Sequence, residues 1–177
     1  MNIFYLSEDP RQAAEWMVDK HVVKMILESA QLLSTAHRVI DGTETVGTSA
    51  TGRKAKRWVL ADGRDEIMYS ATHVNHPSAV WIRQSVENYS WLVEHFFALC
   101  QEYTYRYNKT HLTQQKLGYY IQSPPYKLKD WDFTTPPSCM DPSYIVSDNV
   151  VENYRNYYRL GKANLHSWTR REKPVWM

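Results

Sequence analysis

The stretch Asp19-Lys20-His21-Val22-Val23-Lys24-Met25-Ile26-Leu27-Glu28-Ser29-Ala30-Gln31 decides how this 177-residue chain is read. No proline or glycine interrupts it, and most of its residues suit a helix. At about 100° per residue, His21 and Glu28 lie two turns apart and nearly eclipsed. Lys24 and Gln31 fall on the same side, while Val18, Val22, Met25, Ser29, Leu32 and Ala36 form an apolar arc beside them. The spacing predicts an imidazole, an ammonium, a carboxylate and an amide along the border of a buried face. A carboxylate there sheds part of its hydration, which suits an acid–base group. The plainer reading is a helix-supporting Lys–Glu pair and a satisfied core-edge histidine.

Outward from this stretch, Asn2 to Leu6 is a short apolar run that should dock the N-terminus on the core. Asp9-Pro10-Arg11-Gln12 is a helix start with a capping acid and a proline at the first helical position. Helix is predicted from Pro10 to about His37, with a break near Asp19. Residues 40–65 read as a basic loop containing Arg53-Lys54-Ala55-Lys56-Arg57, although the threonines and Val46 also permit a hairpin. A short helix is expected over Arg64 to Ala71. His73-Val74-Asn75-His76-Pro77 then opens a second long helix, to about Tyr107. Its stripe of Val80, Trp81, Trp91, Leu92, His95, Phe96, Leu99 and Tyr103 includes Asn88, which needs a partner if buried. Residues 108–146 read as mostly irregular, with one short helix from His111 to Leu117. Ser147 or Asp148 should cap a last helix from Asn149 to Leu160, ended by Gly161. The expected fold is all-α: a single compact domain over residues 1–177, of two long helices plus a C-terminal helix, with long irregular loops.

Net charge is only +2, but it is unevenly placed. Five basic residues and one acid lie between Arg53 and Arg64, and six basic residues and one acid between Arg155 and Lys173. Such patches suggest a polyanion at one surface; a solvated basic tail is the alternative. The 13 Tyr and 7 Trp suit stacking on bases and equally suit a core. In the C-terminal segment, at least two of Tyr154, Tyr157 and Tyr158 are expected to be core residues of an amphipathic helix. No apolar run is long enough to span a membrane, and the start of the chain does not read as a secretory signal. Cys100 and Cys139 are expected to be reduced thiols in a cytoplasmic protein. His73 and His76 form an H-x-x-H pair, but zinc-binding helices use other spacing, so a capping turn is preferred and no metal is expected. Neither a serine nucleophile elbow nor a phosphate-cradling glycine loop is present.

Three local features resemble the phage-type pyrimidine-dimer DNA glycosylases with AP-lyase activity. Asp19-Lys20-His21, with Glu28 seven residues after His21, is similar to that family's early helix. His76-Pro77, the following helix and Arg106-Tyr107-Asn108 are similar to its central helix. Tyr157-Tyr158-Arg159-Leu160-Gly161-Lys162-Ala163 is similar to its aromatic C-terminal segment. The resemblance implies a small, helical DNA-base N-glycosylase that works without metal or organic cofactor. An N-terminal α-amine attacks the sugar C1′, the base leaves, and a Schiff base forms and is resolved by β-elimination. By this likeness Met1 carries the amine, Glu28 is the acid–base carboxylate, and His21 positions the substrate or contacts phosphate. Beside these, the helix face, the basic patches and the aromatic–basic segment give the expected substrate-binding residues: Lys24, Gln31, Arg53, Lys54, Lys56, Arg57, His76, Arg155, Tyr158 and Lys162. The family's arginines beside its Glu fall at Leu27 and Gln31 here, so the substrate is expected to be a damaged or modified nucleotide rather than a fixed dimer. The implied partner is DNA or a nucleotide, in the host cytoplasm if the chain is phage-encoded. The alternative is a non-catalytic nucleic-acid or nucleotide-binding phage protein, a regulator or defence antagonist.

Overall fold

The computed structural model describes residues 1–48 and 51–177. Ser49 and Ala50, within the predicted basic loop, lie outside the described residues. The first helix, α1 (Pro10–Glu15), starts where Asp9 accepts from the backbone N–H groups of Arg11 and Gln12. The decisive stretch lies in α2 (Asp19–Asp41). Its arc of Val18, Val22, Met25, Ser29, Leu32 and Ala36 is buried throughout. Both α1 and α2 pack against α5 (Val86–Tyr107).

The fold departs from a purely helical one. The strands β1 (Thr43–Thr48) and β2 (Lys54–Val59) form an antiparallel pair, in register from Thr43↔Val59 to Thr48↔Lys54. Threonine and valine favour extended backbone, and this tendency prevails over the loop reading. Arg38, near the end of α2, fastens the hairpin to the body. Its guanidinium donates to the carbonyls of Trp58, Asp65, Met68 and Tyr69 and to the Asp65 carboxylate, at 2.6–2.8 Å. The short helix α3 (Arg64–Ile67) follows.

The predicted Pro77–Tyr107 helix is two helices, α4 (Pro77–Trp81) and α5. Ser85 ends the continuity because its hydroxyl caps α5 by accepting from the Asn88 N–H. Asn88 finds its partners in the irregular segment. It accepts from the Thr134 N–H and donates to the Thr134 hydroxyl and the Trp81 carbonyl. At the other end, Asn108 adopts a left-handed conformation, φ 53°, and closes α5. Arg106, fully buried, donates to Glu102, Asp19 and the carbonyls of Glu15 and Met17. The Arg-aromatic-Asn signature is therefore a clamp on the α1–α2 junction.

After α6 (Leu112–Leu117) the chain runs irregularly to α7 (Val150–Gly161). Asn149, rather than Ser147 or Asp148, caps α7. The tail returns to the start of α2, where the Asp19 carboxylate accepts from Ser167, Thr169 and Arg106. Burial pushes that carboxyl up, but these hydrogen bonds outweigh it and hold it below its ordinary value.

Candidate active site

Helix α2 presents Glu28 at the edge of the core, its side chain 14% exposed. One carboxylate oxygen lies 3.2 Å from the Lys24 ammonium. The other accepts from the backbone N–H of Asn2 at 3.1 Å. Consecutive backbone nitrogens are at most about 3.7 Å apart, so the α-amine of Met1 lies within about 7 Å of that oxygen. Residues 27 positions apart are thus brought together by docking the first strand-like residues across α2.

The N-terminal segment is held at several points. The Asn2 side-chain amide donates to the Cys139 carbonyl at 2.7 Å. Its carbonyl oxygen accepts from the N–H groups of Ile3 and Phe4. Phe4 takes a left-handed φ of 54°, an uncommon conformation for a non-glycine residue. Its ring stacks on His21 at 4.3 Å between centroids.

His76 lies beside this group. Its Nδ1 accepts from the Ser78 N–H and caps α4, so a neutral ring carries its proton on Nε2. Burial, then the charges of the Met1 amine and His73, lower its pKa, and the Glu28 charge opposes them. Met1, Glu28 and His76 therefore share one electrostatic neighbourhood. Gln31 follows Lys24 and Glu28 along α2 and is half-buried.

The other sequence-predicted residues are placed differently. His21 is buried, and its Nδ1 shares a 2.5 Å hydrogen bond with the Tyr158 hydroxyl. Burial, then the charges of Lys162 and Lys24, pull its pKa down to about 4. A neutral, enclosed imidazole is suited to positioning and not to gripping phosphate. The Tyr158 side chain is wholly buried and packs behind His21. The helix amphipathicity that places Tyr154 in the core places Tyr158 there too. Arg155 is also committed internally. It donates to the Leu6 carbonyl, and its guanidinium lies over the rings of Trp16 and Trp176. Lys162 sits over the Tyr157 ring, close enough for its charge to reach His21. Arg159, Arg170 and Arg171 hold the tail through Trp176, Tyr105, Glu102 and Glu15.

Arg53, Lys54, Lys56 and Arg57 lie on the hairpin, beyond the far end of α2. The end of that helix is about 20 Å from Glu28 at 1.5 Å per residue. Lys56 pairs with Glu44 at 2.7 Å, and Arg57 donates to the Thr48 carbonyl. A cavity of about 560 Å³ also lies at that end, lined by Asp62, Arg64, Tyr119 and Tyr126. Glu28 does not line it. His73 is exposed and bonded to Thr72. Among the described residues, no three His, Cys, Asp or Glu side chains gather as a metal-ligand set would.

Sequence reasoning missed Asn2 and Cys139. Nothing in residue spacing links positions 137 apart. The only signal at Asn2 was its type, a residue whose side chain bonds readily to nearby backbone.

The fold and site define a mostly helical protein with an amine, a carboxylate and an imidazole gathered where its N-terminus crosses its longest helix. A family model described as pyrimidine dimer DNA glycosylase matches residues 1–115. The chain belongs to that family, and at family level it is a DNA glycosylase, a DNA-repair enzyme. Neither a curated protein nor a solved structure matches it.

Proposed function

We propose that this glycosylase removes a damaged or modified base from DNA and cleaves the resulting abasic site by Schiff-base β-elimination. The observation that carries this reading is the approach of the Met1 amine to within about 7 Å of the Glu28 carboxylate. The deprotonated amine attacks C1′, the glycosidic bond breaks, and the base leaves with the bonding electrons and takes up a proton. The ring oxygen then departs from C1′ as a hydroxyl, leaving a protonated imine between Met1 and the sugar. Loss of a C2′ proton expels the 3′ phosphate, and water releases the enzyme. Glu28 carries protons between these steps. The Nε2–H of His76 is a hydrogen-bond donor for a sugar or phosphate oxygen, with Lys24 and Gln31 beside it on α2.

A DNA strand suits this surface better than a free nucleotide. Glu28 stands at the edge of the core, and the basic hairpin lies about 20 Å away along α2. At 3.4 Å per base pair, a bound segment of about six base pairs reaches both. Among the described residues, no helix is long and apolar enough to cross a membrane.

The test is turnover of an abasic-site duplex by the wild type and by Glu28→Gln. The expected result is strand cleavage by the wild type and loss of turnover in the variant, with borohydride trapping of the imine retained or lost. Full turnover by Glu28→Gln removes Glu28 from the mechanism. Salt-sensitive binding with no product in the wild type leaves the non-catalytic reading.

A further inference from the structure

We infer that Asn2 is the positioning residue for the Met1 amine, and that the segment around Cys139 is the wall that holds it. This rests on the proposed role of Met1 as nucleophile. Four bonds converge on three groups of Asn2. Its N–H meets Glu28 at 3.1 Å, its amide meets the Cys139 carbonyl at 2.7 Å, and its side-chain oxygen accepts from Ile3 and Phe4 at 2.7 and 3.0 Å. Both faces of one side chain are thus used, one to curl the chain into the left-handed turn at Phe4, the other to tie that turn down. With Asn2 fixed at three points, the preceding residue has little freedom, and its nitrogen stays within about 7 Å of the carboxylate.

The wall is itself braced. The Tyr154 hydroxyl, in the core, accepts from the Cys139 N–H at 3.1 Å and donates to the Pro137 carbonyl at 2.9 Å. The Cys139 sulfur lies 3.4 Å from the Ser78 hydroxyl, beside the His76 cap. Cys139 and Tyr154 lie outside the family-matched residues 1–115. The matched part supplies Met1, Glu28 and His76, and the unmatched part sets where the amine stands. Because Asn2 is gripped through the Cys139 backbone, the cysteine side chain is replaceable in this role.

The test uses full-length protein, an abasic-site duplex and borohydride trapping across pH 6–9. Asn2→Leu deletes the amide while keeping a large second residue, so that the initiator is retained; intact mass confirms Met1. Misplacing a reacting group by about 1 Å lowers a rate on the order of 10²-fold. The expected result is a trapping rate about 10²-fold lower at every pH, with duplex affinity within twofold and a single cooperative unfolding transition retained. Tyr154→Phe, which keeps the buried ring, should move trapping in the same direction by a smaller factor. Cys139→Ala should trap as the wild type does. Trapping by Asn2→Leu within threefold of the wild type overturns the proposal, as does a fall matched by an equal loss of affinity. If Asn2→Leu fails to fold, Tyr154→Phe decides, and wild-type trapping by it overturns the wall. A wild type that never traps refutes the nucleophile itself, which is a separate failure.

Discussion

Mild acid should unfold this protein through three histidines buried in the neutral form. Burial lowers His21 to about 4, helped by Lys162 and Lys24. Burial lowers His37 to about 4, helped by Arg64 and opposed by Asp41. Burial alone lowers His95 to about 3. Both ring nitrogens of His95 are without a hydrogen-bond partner among the described residues, and the ring stacks on Trp91. In the unfolded chain each titrates near the ordinary 6.5. As pH falls below that value the unfolded state takes up protons that the folded state refuses, so stability is lost from about pH 6.5 toward 4. Between pH 7 and pH 5 each histidine removes about 2 kcal/mol, and the three together about 5–6 kcal/mol. That is comparable to the whole stability of an ordinary domain, about 5–15 kcal/mol. Asp19 and Asp41, lowered by hydrogen bonds that outweigh their burial, add nothing in this window. Their contribution is present above the ordinary carboxylate range and is lost only below it. Urea unfolding at pH 7, 6 and 5 measures the slope, and His95→Phe should remove about a third of it. Stability unchanged from pH 7 to 5, or a His95→Phe slope equal to the wild type's, would refute the reasoning.

Arg38→Met should cost about 1–3 kcal/mol in urea unfolding, since it leaves the carbonyls of Trp58, Asp65, Met68 and Tyr69 without their donor. Tyr158→Phe leaves His21 Nδ1 unpaired and should cost about 1–3 kcal/mol with duplex affinity unchanged; weakened binding would return Tyr158 to the substrate. Lys54→Ala on the hairpin should lower affinity equally for lesion and plain DNA and reduce the slope of log affinity against log salt by about 1. An effect confined to lesion DNA would place Lys54 at the chemistry instead.

The helices were legible where periodicity and caps were strong. The faces of α2 follow from 3.6 residues per turn, and Asp9-Pro10 marks the start of α1. The hairpin was hidden because threonine, glycine and basic residues serve loops and exposed strands alike. The interruption before α5 had a signal in Ser85, which the apolar stripe on both sides obscured. The site was half legible. Glu28 and His21 stand two turns apart on one helix, so spacing brings them together. Their partners are tertiary: Asn2 reaches Glu28, and Tyr158 closes on His21 from 137 positions away. Composition also could not tell a cation that faces solvent from one used as a clasp. Arg155, Arg159 and Arg171 look like a phosphate-binding tail, and each also donates within the protein, to Leu6, Trp176 and Glu102.

The nucleophile can be located directly. Wild-type protein is reduced with borohydride on an abasic-site duplex, digested, and the peptide carrying the sugar remnant is sequenced by mass spectrometry. The account predicts the remnant on the α-nitrogen of Met1, the residue before Asn2, whose own N–H meets Glu28. A remnant on the side chain of Lys24, whose ammonium is also beside Glu28, would contradict it.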